Sequence, residues 1–137
     1  MATEQHLRLQ LAAAYRLAAL LGWGDNLYPP FSVRLPGAGA PRFLIKPFGV
    51  MFEEVTRRYR MVGDMQCNVV EGGAPANSAG FTIHSAVHMA RADAHCVIPT
   101  HTLPGMAVAA CEDGLLQLNQ ISTEFYQRVG YHPYEGV

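Results

Sequence analysis

The chain has 137 residues, half of them hydrophobic, with 10 basic against 11 acidic side chains and a formal net charge of −1 at pH 7. That is enough chain for one ordinary core, and it carries none of the clustered positive charge that nucleic acid or an anionic membrane demands. Cys67, Cys96 and Cys111 are odd in number and widely spaced, with no C-x-x-C pair, so neither a disulfide framework nor a cysteine zinc site is indicated.

Leu7, Leu11, Ala14, Ala18 and Leu21 recur at helical spacing behind Thr3, whose hydroxyl can cap, and Gly22 and Gly24 bracket the stop. The first element is therefore an amphipathic helix. Asp25 to Pro30 is a loop, because Pro29-Pro30 cannot continue a helix. Phe31 to Leu35 alternates like a strand, Pro36 to Pro41 turns, and Phe43-Leu44-Ile45 returns as the second arm of a hairpin. A short helical turn through Glu53 and Glu54 follows. Arg57, Arg58 and Arg60 make the one basic knot, read as a solvated turn. Strands are expected over Tyr59–Val62 and Asn68–Val70, joined by Asp64-Met65-Gln66-Cys67, which lacks the glycine a tight hairpin prefers.

Asn77 or Ser78 caps a helix running to about Ala90, with Phe81, His84, Val87 and His88 along one stripe. His84 and His88 have metal-ligand spacing, but no Glu follows His84 and the pair lies among apolar residues, so both are read as core histidines. Ala94 to His101 reads as a buried strand with Cys96 inside. Leu103 opens a helix through Cys111, again read as a core thiol, and Gly114 closes it. Leu115 to Leu118 is expected as a strand and Ser122 to Val129 as a helix. Early hairpins followed by alternating strands and helices favour one domain with a mixed sheet covered on both faces. With no basic leader and no long apolar run, a reducing cytoplasm is the expected location.

The most informative stretch is Cys96-Val97-Ile98-Pro99-Thr100-His101-Thr102. Side chains at i and i+2 of a strand share a face, so a His-x-His pair can converge on one cation. That face carries His95, Val97, Pro99 and His101, and Pro99 stands where a second ligand would be expected. Proline has no side-chain lone pair and cannot donate to a ladder.

Gly24-Asp25-Asn26-Leu27-Tyr28, Ser32 to Gly37, Pro47-Phe48-Gly49, Phe52 to Thr56, Asn68 to Gly72, Ile83 to His88, Arg91 to Ile98 and Thr100-His101-Thr102, in that order, resemble the class II aldolase and adducin head-domain family from about Leu7 to Val137. The resemblance implies a three-layer α/β/α sandwich around a mixed, largely antiparallel sheet, here a single domain over 1–137 shortened at its C-terminal part. It also implies, for the family's lyases, zinc held by a His-x-His pair and a third histidine, stabilising the enediolate formed on cleavage of a sugar phosphate.

Carried over by position, the first histidine of the pair falls on Pro99 and the second on His101, while the third would lie beyond Val137. The lyases' catalytic glutamate falls on Gly80, which cannot move a proton. Phosphate-binding positions fall near Pro29-Pro30, Lys46 and Asn77-Ser78. The two prolines lack donors there, and Lys46 could offset them, its ordinary reading being a surface lysine. The expectation is thus an aldolase-like domain without zinc-dependent aldol cleavage and with no cofactor, His101 being a vestigial ligand. It would act by binding or by self-association as a homo-oligomer, with a small-molecule ligand allowed and no nucleic-acid or membrane partner. The alternative is an enzyme of altered, metal-free acid/base chemistry on a small carbonyl or sugar-phosphate-like substrate, using His95, His101 or His84 with Lys46 as anion anchor. A scaffolding role like that of adducins is a third reading, but their basic tail has no counterpart here.

Overall fold

The structure, a computed structural model, describes residues 2–37, 39–59, 61–73 and 75–135. The chain forms two compact units, the first reaching Thr100 and the second beginning at His101.

In the first unit, helix α1 (Glu4–Leu20) starts at Thr3, whose hydroxyl accepts from the His6 N–H at 3.3 Å, and Gly22 leaves the helix at φ 69°. Such a value suits glycine, which has no Cβ to clash. The helix buries Leu11, Ala12, Tyr15 and Ala18. Tyr15 lies against the chain leading into strand β1 (Ser32–Arg34). Its hydroxyl donates to the Phe31 carbonyl at 2.8 Å and accepts from the Phe31 N–H at 2.5 Å, so a buried phenol replaces the missing strand partner of that residue. The Tyr15 and Phe31 rings stack at 4.6 Å, and Phe52, in a 3₁₀ turn over Phe52–Glu54, meets both edge-on.

Strands β2 (Arg42–Ile45), β3 (Val62–Asp64), β4 (Val69–Glu71) and β5 (Cys96–Val97) complete a five-stranded sheet in the order β4-β3-β2-β1-β5. Every pairing among the described residues is antiparallel, where a mixed sheet was expected. Period-2 alternation divides the core: Leu44 joins the α1 cluster, while its neighbours Phe43 and Ile45 join Met61, Met65 and Phe81. Phe81 belongs to helix α2 (Ser78–Ala90), capped by the Asn77 side chain. Gly63 lets the Phe81 ring approach β3, since a Cβ there would meet the ring at 2.7 Å. The Tyr28–Pro29 bond is cis.

In the second unit, Thr102 caps helix α3 (Leu103–Ala109) by accepting from the Gly105 N–H, and Asn119 caps the short α4 (Gln120–Thr123). Ser122 is the one buried residue among those described there. Among the described residues no helix is long and apolar enough to cross a membrane.

Several expected elements are corrected. The strand expected over Tyr59–Val62 begins only at Val62. The strand expected from Ala94 to His101 shrinks to Cys96–Val97 at the sheet edge: among the described residues it pairs with β1 alone, and Pro99 has no N–H to extend the ladder. Cys96 and Cys111, expected in the core, are exposed. No strand forms at Leu115–Leu118, where Leu116 and Leu118 are exposed. The helix expected to reach Val129 ends at Thr123, and Gln127 turns left-handed at φ 57°. The glycine-free turn at Gln66-Cys67 does form, with Cys67 at φ 65° and the Asp64 carboxylate accepting from the Gln66 and Asn68 N–H groups, both at 2.9 Å.

Candidate functional site

Ser32 and Arg34 are two apart on β1 and so project to one face of the sheet, the face covered by α2. His84 and His88, one turn apart on α2, come down onto the same strand. Ser32 Oγ lies 2.5 Å from His84 Nδ1 and 2.8 Å from His88 Nε2, and all three residues are buried. His88 Nδ1 reaches the Ala94 carbonyl at 3.0 Å, and its ring lies 5.2 Å from that of Phe43. Arg34 Nη2 donates to the carbonyls of His88 and Arg91, where the last carbonyls of α2 lack partners of their own. Burial pushes His84 down to about 4, helped by His88 and opposed by the Pro30 carbonyl. His88 is lowered too, by burial first and by Arg34, against the pull of the Ala94 carbonyl. The reading of these histidines as core groups agrees with their burial. The alternation of Ser32 and Arg34 in an otherwise apolar strand is the sequence signal for their two partners.

Lys46 is buried rather than on the surface. Its ammonium donates to the Leu27 carbonyl at 2.7 Å and the Val50 carbonyl at 3.1 Å, which ties two loops to the end of β2, and burial lowers it to about 8. These carbonyls satisfy the charge in the direction it points. Asn77 is the half-buried cap of α2, and Ser78 is its exposed first residue. The loop before this cap is fastened to the one after β2 by the Phe48 N–H donating to the Pro75 carbonyl at 3.0 Å.

Gly80 sits in the first turn of α2 and is buried, and a Cβ built on it would meet Pro30 Cγ at 2.7 Å and Cδ at 3.3 Å. Carbon atoms rest at about 3.5–4.0 Å. The ring of Pro30 therefore occupies the space into which a longer side chain at position 80 would grow.

His95 is exposed just before β5, its carbonyl accepting from the Arg34 N–H at 2.8 Å. His101 is exposed at the start of the second unit. Among the described residues no three His, Cys, Asp or Glu side chains are grouped as a metal ion would require. Pro99 contributes no donor, and the cradle at Gly80 is filled, so the residues described do not fit a zinc and glutamate centre.

The family described as the Class II Aldolase and Adducin N-terminal domain matches residues 9–137. A Caulobacter vibrioides protein carrying the class 2 aldolase name is 45% identical over 135 residues, 98% of this chain and 52% of that protein. The alpha-adducin of Rattus norvegicus is 39% identical over 137 residues, 98% of this chain and 18% of that protein. Among solved structures, an aldolase II superfamily protein from Pseudomonas syringae superposes with a TM-score of 0.92 at 46% identity, over 99% of this chain and 55% of that one. L-fuculose 1-phosphate aldolase from Glaciozyma antarctica PI12 gives 0.82 at 30% identity, over 93% of this chain and 54% of that one. The chain thus spans about half the length of these aldolase-type relatives.

Proposed function

The chain belongs to the class II aldolase and adducin N-terminal domain family, and on that premise we propose that it is an aldolase-like domain that acts by binding or self-association, without zinc-dependent aldol cleavage. The observation that carries this reading is the Pro30 ring 2.7 Å from where a Cβ of residue 80 would lie. The position to which the resemblance assigns the proton-transferring glutamate holds neither an acid nor room for one. Pro99, standing for the first histidine of the pair, points the same way. Both compact units are read as parts of one domain, with the three-layer sandwich the resemblance implies and, as in the expectation above, a homo-oligomeric assembly in a reducing cytoplasm, which suits three exposed thiols.

Acid/base chemistry by His84 has its geometry against it, since that ring is 0% exposed and no substrate can reach it. His95 and His101 are open to solvent, and Lys46 is already engaged with two carbonyls. Metal analysis of the purified chain together with an aldol-cleavage assay on L-fuculose 1-phosphate tests the reading. No turnover and substoichiometric zinc are expected. Stoichiometric zinc with turnover abolished by His101→Ala would overturn it, and a monomer by sedimentation would remove the self-association.

A further inference from the structure

Ser32, His84 and His88 form a chain of hydrogen bonds whose proton positions are dictated by its far end. A carbonyl can only accept, so at the 3.0 Å contact with Ala94 it is His88 Nδ1 that donates. A neutral His88 then carries its lone pair at Nε2, and the Ser32 hydroxyl must donate to it across 2.8 Å. With its one proton so placed, Ser32 Oγ accepts from His84 Nδ1 at 2.5 Å. His84 Nε2 is left as a bare lone pair, and it is the ring nitrogen that lies buried with no hydrogen-bond partner among the described residues.

Few groups act on the pair. From β1 comes Arg34, whose charge opposes a proton on His88, and on α2 each imidazole faces the other. The stretch before β5 offers the Ala94 carbonyl, the loop before β1 the Pro30 carbonyl, and β2 the Phe43 ring.

We infer that this chain of bonds is an acid-released latch, which holds α2 and the strand leading to Pro99 against β1 at neutral pH and lets both go when the imidazoles take up protons. A proton on His88 Nε2 removes the acceptor of the Ser32 hydroxyl, and a proton on His84 puts charge into a buried site. Beyond the latch, β5 is held to β1 by a two-residue pairing and by the Arg34 N–H to His95 carbonyl bond. The device is independent of whether the domain binds or catalyses.

The sign follows from the direction of the shift. His84 is held below its ordinary 6.5, at about 4 when closed. The open form therefore binds more protons between these values, and closure is complete above pH 6.5 and weakens as pH falls toward 4. From this one group the opening equilibrium grows about five- to sevenfold per pH unit in that window, or roughly 40-fold between pH 6.5 and 4.5.

Amide hydrogen exchange, corrected for the intrinsic pH dependence, reads this at the Arg34 and Arg91 N–H groups, with the Ile45 N–H of β2 as reference. The wild type is expected to lose roughly 40-fold in protection at the first two between pH 6.5 and 4.5, and the reference much less. His84→Asn keeps a donor at the Nδ1 position but does not titrate, and its loss should be at least tenfold smaller. An equal loss in the variant, or a loss shared alike by all amides, overturns the latch. Should the variant fail to fold, ring nitrogen spectra of the wild type at pH 7.5 decide. Both histidines protonated at Nδ1 support it, and either one protonated at Nε2 alone refutes it.

Discussion

Gly80→Ala is the sharpest probe of the proposed loss of the acid. At an open position in a helix the change would stabilise by about 1 kcal/mol, the usual difference in helix propensity. Here the new methyl would stand 2.7 Å from Pro30 Cγ and 3.3 Å from Cδ, and Pro30 is itself buried, so its ring cannot simply swing into solvent. Overpacking of that kind costs about 1–3 kcal/mol, so the net expectation is a destabilisation of about 1 kcal/mol. Gly80→Glu should cost about 2 kcal/mol. A carboxylate near the helix N-terminus recovers only a few tenths, up to about 1 kcal/mol, through the helix dipole. Urea unfolding at pH 7.5, with midpoints compared at constant slope, measures both. Because the clash is with one ring, Pro30→Gly should relieve it, and the double-mutant cycle should show a coupling of about 1–2 kcal/mol. A Gly80→Ala variant more stable than wild type, or a coupling near zero, would refute the claim that Pro30 fills this position.

Ser32→Ala leaves a donor at His84 Nδ1 and an acceptor at His88 Nε2 buried without partners, and should cost about 3 kcal/mol in the same assay at roughly 1–3 kcal/mol per group; a loss under about 1 kcal/mol would show that water or repacking satisfies them. Lys46 sits at about 8 in the folded chain against an ordinary 10.5, so the unfolded chain binds more protons between those values and stability from this group rises with pH across them. Thermal unfolding should accordingly show the wild type gaining on Lys46→Met from pH 8 to 10.5, and a shrinking difference would contradict the burial of the ammonium. Pro99→His restores one imidazole beside His101 yet leaves fewer than the three protein ligands a zinc site uses. Zinc titration calorimetry should find no gain in affinity, and micromolar binding would mean that other ligands complete the site.

How much could be read beforehand divides along physical lines. Helix α1, its Thr3 cap, the β1–β2 hairpin and the Asn77 cap of α2 were legible because each rests on a local rule: a hydroxyl three residues before an N–H, a period, a proline that stops a helix. The stretch from Leu115 onward was not. Short apolar runs there match strand and helix templates equally well, and tertiary partners decide between them. The same holds for Cys96 and Cys111, whose apolar neighbours suggested burial although neither is covered. In the site, the histidine pair was visible from its spacing, but Ser32 between the rings and the inward turn of Lys46 were not, since both depend on contacts more than fifteen residues apart in the chain.

One further step follows from the way the changed positions fit each other. Had a catalytic pocket merely decayed, an acid lost from position 80 would leave a void, and a void in a packed first turn of a helix costs stability in proportion to its volume. Instead the space beside Gly80 is taken by a proline ring from a loop 50 residues earlier, at a distance that admits no Cβ. The same loop is tied down from below by Lys46 through the Leu27 carbonyl and from the side by the Tyr28 ring, 6.0 Å from that of Phe48. On the proposed reading, the donors of a reaction have been exchanged around this helix start for packing contacts that support one another. Reversing the exchange at Gly80 to glutamate meets a neighbour already fitted to the glycine. A repaired residue should therefore cost stability before it returns chemistry.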